Sequence, residues 1–422
     1  MAKVYEFRCP VHGFIEVDEW EREIIAHPVF QRLRRIRQLG FTDYIYPGAM
    51  HTRFEHSLGV MHIATKLYDA ITQRSSEVLK EYLGYNEDGL RRDRRLVRLA
   101  ALLHDVGHGP FSHVSEELLP FRDEEQKERY RHEDYSVALV RHLLREVIEN
   151  HPMNENYGIK AEDVAAFLEG SVKVRKLLFW RELITSQMDA DRMDYLLRDS
   201  LHLGVRYGTY DLERVVNTVC LVPSIEEVNE SITTRIGVTE GGWHAVESLI
   251  LARYYMFTQV YFHKTRVAYD HHIGQVMRHL LPSGNFPKPE TDELEAYLCW
   301  DDWKVLGKIA EEQAGEHGKR IRKRNHFRMV YATPEVPNAE DLERLEANKE
   351  RLGDLLVYEG ASEKSWYNIP KDEIPVLMDN GKIRVLSELS CPIRNMERIN
   401  QILLYVKPED ADIARKRLEG TA

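Results

Sequence analysis

One short stretch in the first third of the chain restricts the possible folds most. Residues 99–113 read LAALLHDVGHGPFSH, which predicts an apolar helix with His104 and Asp105 at its C-terminal end, where glycine and proline stop it. Burying an imidazole beside a carboxylate costs free energy unless a cation or a hydrogen-bond partner compensates. An isolated His-Asp pair also suits an ordinary helix end, but His108 and His113 follow closely. We therefore expect a functional site here.

The composition excludes several classes of protein. The 422 residues are 43% hydrophobic, which is enough for one large core or two domains. The four cysteines form no CxxC pair, so neither a disulfide framework nor a thiolate zinc site is expected. We find no signal-like or membrane-spanning apolar run and predict a cytoplasmic protein without a membrane partner. The net charge of −11 argues against a nucleic-acid partner but leaves room for basic pockets that bind a small anion.

Hydrophobic periodicity predicts a mainly α fold with a small C-terminal α+β appendage. Helical spacing recurs up to about residue 282, so we expect a helical core over 1–282, a helical connector over 283–324 and the α+β region over 325–422. A small ribbon is predicted from Cys220 to Pro223 and from Thr233 to Val238. Alternating patterns predict further strands at Arg328 to Ala332, Leu355 to Tyr358, Val376 to Met378, Ile383 to Leu386 and Ile402 to Val406, with a hairpin turn at Asp379-Asn380-Gly381.

Two further stretches contain polar residues that could join His104 and Asp105. Residues 48–60 bring a polar cluster with His56 into an apolar helix. Residues 186–199 form a polar stripe on one helical face, and a second carboxylate from this stripe would complete a metal site. Chemistry alone does not choose among the candidate carboxylates Asp189, Asp191 and Asp194.

These blocks together resemble a known family. His56, His104-Asp105 and a later aspartate match the H…HD…D pattern of the HD-domain metal-dependent phosphohydrolases. Residues 30–40 (FQRLRRIRQLG), 53–59 (RFEHSLG), 104–113 and 193–195 (MDY) are similar to the deoxynucleoside triphosphate (dNTP) triphosphohydrolases, both bacterial ones and the catalytic core of the vertebrate enzyme that adds a sterile-alpha-motif domain. The resemblance covers roughly residues 5 to 275 and implies an HD-domain catalytic core.

By motif position, the resemblance implies a divalent metal ion, with Mn, Fe, Zn, Ni and Mg all open. The implied ligands are His56, His104, Asp105 and Asp191. The implied active-site groups are His108, His113 and His132, one of which protonates the leaving 5′-oxygen because an alkoxide is a poor leaving group at neutral pH. Glu116 could hold such a histidine in its charged form. His132 is also compatible with the ordinary start of a helix.

The same resemblance implies contacts to a dNTP substrate. Arg53 and Arg192 match positions at phosphate oxygens, where a guanidinium can donate two hydrogen bonds. The positions around the sugar are Gln38, Leu39, Tyr195 and Asp199, and those at the base and sugar wall are Arg266 and Tyr269. An aromatic packed between helices explains Tyr269 equally well.

A second nucleotide site and a homo-oligomer, either a dimer or a tetramer, are also implied. In the family an activating nucleotide binds between subunits at positions that match Gln31, Arg34, Arg324 and Arg328 here. Ala26 stands where the vertebrate enzyme has the acidic residue that reads guanine. The expected function is cleavage of dNTPs to deoxynucleoside and inorganic triphosphate. The alternatives are an HD-type phosphodiesterase or nuclease, and a nucleotide-sensing regulatory protein with little turnover.

Overall fold

The computed structural model describes residues 3–123, 125, 127–171, 177–226, 231–364 and 373–420. The α-helices are α1 (Glu19–Ala26), α2 (Pro28–Gln31), α3 (Arg53–Arg74), α4 (Glu87–Leu103), α5 (His132–His142), α6 (Arg145–Glu149), α7 (Ala161–Glu169), α8 (Leu178–Arg181), α9 (Ala190–Leu203), α10 (Leu212–Val216), α11 (Trp243–Met256), α12 (Lys264–Leu280), α13 (Leu294–Leu298), α14 (Asp302–Ala310), α15 (Gly315–Arg322), α16 (Ala339–Leu352), α17 (Leu386–Leu389), α18 (Cys391–Arg394) and α19 (Ala411–Glu419). The strands are β1 (Tyr5–Cys9), β2 (Gly13–Val17), β3 (Phe121–Asp123), β4 (Glu128–Arg129), β5 (Val219–Glu226), β6 (Ser231–Thr239), β7 (Arg328–Ala332), β8 (Leu356–Lys364), β9 (Pro375–Leu377), β10 (Ile383–Val385) and β11 (Ile399–Val406).

The helical core is organised around α3, which packs against both α4 and α9. Helix α3 begins at Thr52, whose side chain forms a capping box with Glu55 and so satisfies free N–H groups of the first turn. The last two turns of α4, Leu96–Leu103, are buried in the main hydrophobic cluster. Because this apolar end lies inside the protein, the residues that follow it, His104 and Asp105, face the interior.

Helical spacing in the sequence predicts single helices after Pro28, from Val137 to Ile148 and from Trp180 to Leu201, and each of these differs from the structure in continuity. The stretch from Val137 to Ile148 is divided between α5 and α6. The segment after Pro28 is a single turn, α2, followed by a 3-10 turn over Arg32–Arg35 rather than one helix. The stretch from Trp180 to Leu201 is divided into α8 and α9. The long stretch from Trp243 to Leu281 is more than one helix, as the sequence predicts, with α11 and α12 joined through a π-helical turn at Phe257–Tyr261.

The strands of the C-terminal region belong to two different sheets. The predicted ribbon is β5 paired antiparallel with β6, and β9 adds to β6 in parallel to give the order β10-β9-β6-β5. The separate antiparallel sheet β7-β11-β8 carries α16 and α19. Residues 375–385 thus pack with the helical core and do not join the sheet β7-β11-β8. The predicted fold class, mainly α with a small α+β part, is confirmed.

The N-terminal hairpin was not predicted from the sequence. Strands β1 and β2 pair from Tyr5↔Val17 to Cys9↔Gly13, around a turn that contains His12. Within the described ranges, no helix combines the length and apolar character that crossing a membrane requires.

Candidate metal centre and active site

The ends and faces of three core helices bring four predicted side chains together. His56 of α3, with His104 and Asp105 at the end of α4, places ligand atoms within 4.8 Å of one another. Asp191, in the first turn of α9, adds a carboxylate oxygen 3.0 Å from His56 Nε2 and 3.9 Å from His104 Nε2. His56 is fully buried, whereas Asp191 is about a third exposed. The cluster is therefore enclosed by protein but open on the Asp191 side.

The protonation pattern of His104 fits a bound cation. Its Nδ1 donates to the carbonyl of Ala101 at 2.8 Å, so Nε2 carries a lone pair. This buried Nε2 has no hydrogen-bond partner, although it lies 3.2 Å from an oxygen of Asp105. Two electron pairs facing each other at that distance repel unless a positive charge lies between them. The donor set of imidazole and carboxylate suits a borderline divalent metal ion.

His56 is oriented from behind by a buried ionic network. Its Nδ1 donates to Asp194 at 2.8 Å, which leaves Nε2 directed at the cluster. Asp194 also receives hydrogen bonds from Arg198 at 2.8 Å and from His12 of the N-terminal hairpin at 2.6 Å. Burial opposes the charge of Asp194, but the Arg198 guanidinium holds the pKa of this carboxyl well below its usual range. Burial also lowers the pKa of His56, yet hydrogen bonds to the Asp191 and Asp194 carboxylates raise it to about 10, which shows how strongly the site favours positive charge.

The structure separates the three aspartates that chemistry alone left equivalent. Asp189 is the N-cap of α9 and accepts the Arg192 backbone N–H at 2.8 Å. Asp191 faces the cluster, and Asp194, one turn later, lies behind His56. Only Asp191 is thus placed to contact a cation held by His56 and His104.

Three further histidines lie beside the cluster in different environments. The rings of His108 and His132 stack with centroids 3.7 Å apart. Burial, with Arg53 nearby, holds the pKa of His108 well below its usual value. Burial also lowers the pKa of His132, but a 2.6 Å hydrogen bond from Nδ1 to Glu116 and the charges of the Glu133, Glu116 and Asp105 carboxylates together outweigh it, so the net shift is upward. His113 shares the same Glu116 oxygen at 3.0 Å, but its side chain is mostly exposed. His132 is therefore the histidine that this environment holds in its charged form.

A cavity of about 550 Å³ opens over the cluster. The predicted residues that line it are Gln38, Leu39, Arg53, His104, Asp105, His108, His113, His132, Asp191, Arg192, Tyr195, Asp199 and Arg266. Tyr269 does not line this cavity. Its fully buried ring packs on Tyr44, with centroids 4.7 Å apart, and near Phe41 and His326. Tyr269, on α12, packs in the second hydrophobic cluster, which is the packing between helices that the sequence left open beside a role at the base and sugar wall.

Guanidinium groups converge on this cavity from five helices, α3, α8, α9, α11 and α12. Arg53 contacts Asp105 and donates to Ser112 at 2.8 Å, while Arg192 contacts Asp189. Arg181 and Arg253 also line the cavity, and burial lowers the pKa of both. These two residues were missed in the sequence, since each is an isolated arginine in a segment with no recognisable motif.

Asp199 is held by two residues that the sequence did not single out. His51 Nε2 lies 2.7 Å from one carboxylate oxygen, and the Tyr261 hydroxyl donates to the other at 2.6 Å. The Tyr261 ring also meets Tyr195 edge-on, with centroids 6.2 Å apart. This fixes the carboxylate and both phenol rings on one wall of the cavity.

The residues of the implied second nucleotide site lie in two separate pairs. Arg34 donates to Gln31 at 2.9 Å and stacks over Phe54. Arg324 donates to the carbonyl of Tyr44 at 3.2 Å, and Arg328 contacts His326. Among the described residues, no hydrogen bond or ion pair joins one pair to the other.

The described fold and site define a helical protein whose His/Asp cluster forms the floor of a cavity lined by five arginines. The HD domain model matches residues 53–199 and the HD associated region matches residues 221–404. The chain belongs to the HD-domain family, and the resemblance inferred from the sequence is confirmed.

Three comparisons place the chain within this family. It is 37% identical over 264 residues to the uncharacterized protein YwfO of Bacillus subtilis, covering 61% of this chain and 51% of that protein. It is 31% identical over 259 residues to the deoxynucleoside triphosphate triphosphohydrolase SAMHD1 homolog of Dictyostelium discoideum, covering 60% of this chain and 45% of that protein. A crystal structure of a hypothetical protein from Aquifex aeolicus superposes with a TM-score of 0.79 at 30% identity, covering 99% of this chain and 100% of that one. The chain spans about half the length of the curated relatives it matches.

Proposed function

We propose that this protein is a metal-dependent triphosphohydrolase that cleaves dNTPs to deoxynucleoside and inorganic triphosphate. The observation that carries the proposal is the convergence of five arginines on the cavity whose floor is the His/Asp cluster. A triphosphate is a substrate dense enough in charge to use them all. The Dictyostelium relative is named for the same activity.

The cluster residues would hold the cation, and the arginines would hold the triphosphate. His56, His104, Asp105 and Asp191 supply the ligands. A divalent cation bound there would polarise the α-phosphate and offset the charge that develops on it. Arg53 lies closest to this centre through its contact with Asp105. The other cavity arginines, Arg181, Arg192, Arg253 and Arg266, surround the space above it.

His132 would act as the general acid. Hydrolysis adds a water oxygen to the α-phosphorus and breaks the bond between this phosphorus and the 5′-oxygen. The leaving oxygen needs a proton, which His132 carries because Glu116 favours the imidazolium. The neutral, stacked ring of His108 packs against His132 and positions it.

Leu39 and Tyr195 would exclude a ribose from the sugar position. Both line the cavity, beside Gln38 and the fixed carboxylate of Asp199. A 2′-hydroxyl would clash with these side chains there. Discrimination against a group that is both crowded and left without a hydrogen-bond partner amounts to about 2–5 kcal/mol, whereas a loose apolar pocket discriminates by roughly 1–3 kcal/mol. We therefore propose that deoxynucleotides are strongly preferred.

The proposal includes an activating nucleotide and a homo-oligomer. Among the described residues of one chain, no hydrogen bond or ion pair joins Gln31 or Arg34 to Arg324 or Arg328, and each pair would contribute to a site completed by another subunit. Because Ala26 offers no acid to read guanine, activation would come from a dNTP and would depend little on GTP.

A product assay with a nucleotide panel tests the proposal. Each dNTP and each ribonucleotide is incubated with the protein and a divalent metal, singly, in pairs and with GTP, and the products are separated by ion-exchange chromatography. We expect inorganic triphosphate and deoxynucleoside from dNTPs. Monophosphate release would instead indicate a phosphodiesterase or nuclease, and tight binding without products would indicate a nucleotide sensor. Equal hydrolysis of ribonucleotides, or a strict GTP requirement, would contradict the proposed sugar and activator sites.

A further inference from the structure

A buried carboxylate from the helical connector holds the loop that follows the His/Asp cluster. Asp302, the first residue of α14, is almost fully buried, and each of its two oxygens accepts one backbone N–H. Oδ1 accepts from Phe111 at 2.8 Å, and Oδ2 accepts from Arg37 at 2.9 Å. One side chain thus ties together two segments that are distant in the sequence, beside the cavity.

The loop at Phe111 has an unfavourable backbone conformation. Phe111 and Ser112 are adjacent non-glycine residues with φ of 56° and 57°, in the left-handed region that such residues rarely adopt. This conformation persists only where surrounding contacts impose it. The Phe111 ring supplies one such contact, since it stacks on Phe41 with centroids 5.0 Å apart. The hydrogen bond to Asp302 supplies another, at the Phe111 backbone itself.

The hydroxyl group of Ser112 connects this loop to the cavity. It donates to the carbonyl of Arg37 at 2.8 Å and accepts from Arg53 Nε at 2.8 Å. A hydroxyl has one proton to donate, so donation to Arg37 leaves its lone pairs for the guanidinium. Arg53 is buried, lines the cavity and contacts Asp105 of the cluster. Asp302 therefore fixes the backbone on both sides of the Ser112 hydroxyl, and this hydroxyl orients Arg53.

Charged groups that do not line the cavity hold the loop at both ends. Burial raises the pKa of Asp302 to about 7, although its two backbone hydrogen bonds and the nearby Arg37 and Arg32 guanidinium groups lower it. Arg32 donates to the carbonyl of His108 at 2.7 Å and to the carbonyl of Trp300, also at 2.7 Å. The connector is therefore joined to the loop both at His108, through Arg32, and at the opposite end, through Asp302.

We propose that Asp302 is a positioning residue that directs the guanidinium of Arg53 toward a phosphate group in the cavity, through the Phe111 backbone and the Ser112 hydroxyl. The role rests on the proposed function in that the phosphate belongs to a dNTP. Asp302 does not line the cavity, so its effect on a bound anion passes through Ser112 and Arg53. The connector thereby contributes to the site without contributing a group that contacts the anion.

Binding of inorganic triphosphate tests this role without any turnover. Asp302→Asn keeps the shape of the side chain but leaves one acceptor oxygen for two backbone N–H groups. Isothermal titration calorimetry in a buffer with Mn²⁺ is done at pH 8, above the pKa of Asp302, which is about 7. We expect the dissociation constant of triphosphate to rise about 10-fold or more, since a misplaced guanidinium loses charge-assisted hydrogen bonds.

Asp301→Asn is the matched control for the triphosphate titration. Asp301 is the N-cap of α14, and asparagine caps a helix as well as aspartate does, so this variant should bind triphosphate like the wild type. Equal affinity of Asp302→Asn and the wild type overturns the proposal, and so does absence of triphosphate binding by the wild type.

A double-mutant cycle separates positioning from a general loss of stability. Ser112→Ala should weaken triphosphate binding to a similar extent, and adding Asp302→Asn should weaken it no further, because both changes act on the same hydrogen bond to Arg53. Additive effects overturn the route through Ser112. Circular dichroism checks folding. If Asp302→Asn does not fold, Asp302→Glu, which keeps both acceptor oxygens but moves them by one methylene, takes its place in the cycle.

Turnover of dNTPs by the same variants distinguishes this role from the proposed function. We expect kcat/KM of Asp302→Asn to fall by about 100-fold, the scale of a small misplacement caused by a residue outside the reacting groups. Absence of dNTP cleavage by the wild type would contradict the proposed function, whereas the triphosphate titrations would still decide the role of Asp302. Normal kcat/KM of Asp302→Asn beside an active wild type overturns that role.

Discussion

At the scale of single residues, the polar groups in and around the His56, His104, Asp105 and Asp191 cluster are of two kinds. Some are candidate metal ligands, and others orient or charge their neighbours. His104 Nε2 is a buried lone pair without a hydrogen-bond partner. Glu116 is a carboxylate shared by two imidazoles, and burial opposes its charge while those hydrogen bonds hold its pKa far below the usual range. The lone pair of His104 Nε2 favours a bound cation, and the Glu116 carboxylate favours the charged form of the imidazole that it binds.

His104→Ala should abolish both metal binding and hydrolysis while the helical fold survives. The reason is that the substitution removes one ligand from the end of α4, whose buried apolar residues stay in place. Metal content after dialysis and product release from dNTPs measure the two losses. The exposed His142→Ala on α5 is the control and should behave as the wild type. Full activity of metal-free His104→Ala would exclude the proposed ligand role.

Glu116→Gln should shift the alkaline limb of the kcat profile to lower pH. Burial lowers the pKa of His132, but Glu116 and the other nearby carboxylates raise it above its ordinary value, so activity is lost only as pH rises through that raised pKa. Without the Glu116 carboxylate, burial lowers the pKa of His132 and the limb should move to lower pH, with metal content unchanged. The neighbouring exposed Glu117→Gln is the control. An unmoved limb would show that His132 is not the acid.

At the scale of elements, the site depends on how closely α3 approaches α9 and on the hairpin β1–β2 beside them. Gly59 lies on α3, and a Cβ built there would come within 1.9 Å of Asp194 Oδ1 and 2.5 Å of Arg198 Nη2. The hairpin contributes His12, which completes the hydrogen bonds of the same Asp194. Both elements thus act on His56 through one buried carboxylate.

Gly59→Ala should destabilise the protein and weaken metal binding together. The added methyl group would displace the Asp194–Arg198 pair, and overpacking of this kind costs about 1–3 kcal/mol, more where a buried ion pair is disturbed. Gly307→Ala on α14 is a sharp control, because a Cβ there meets nothing within 4 Å. It should be neutral or stabilising by up to about 1 kcal/mol. Equal denaturation midpoints for the two variants would contradict the close approach.

His12→Ala should lower metal affinity by roughly 10- to 100-fold without abolishing binding. A residue that orients a ligand through a hydrogen-bonded carboxylate typically has an effect of this size. Equilibrium dialysis with the metal gives the dissociation constant. Phe14→Ala tests whether the hairpin acts in any other way. This half-exposed side chain of β2 has no hydrogen bond to Asp194, so the Phe14→Ala variant should keep the wild-type metal affinity. If both variants lose affinity equally, the hairpin acts only through its general stability.

At the scale of the whole molecule, the C-terminal region is partly integrated into the helical core. Strand β9 pairs with β6, and its Val376 is fully buried in the main hydrophobic cluster. The sheet β7-β11-β8 shares one smaller hydrophobic cluster with α16 and α19, and another joins it to α12. A domain boundary drawn only by position along the chain therefore separates segments that fold together.

Val376→Ala should lower the global free energy of unfolding by about 2 kcal/mol. This is the cost of removing two buried methylene equivalents and leaving a small cavity. Chemical denaturation followed by tryptophan fluorescence and by circular dichroism should show one transition shifted by the same amount. Ile383→Ala on the partly exposed β10 should change stability by less than about 0.5 kcal/mol. A loss confined to a separate C-terminal transition would show that the region unfolds independently.

The sequence by itself determined the helical class, most strand positions, the hairpin at residues 379–381 and the family. Helical and strand periodicities and turn residues are local signals, and the His and Asp motifs are contiguous or regularly spaced. The family resemblance pointed to Asp191, whereas residue chemistry left the aspartates at 189, 191 and 194 equivalent. Only the tertiary structure decided that Arg181 and Arg253 line the cavity and that Tyr269 packs in the second hydrophobic cluster. The physical reason is that residue spacing in the sequence defines which side chains share a helix face, whereas long-range packing determines which other residues that face contacts. His12 shows this most clearly, since 182 positions separate it from the carboxylate it binds.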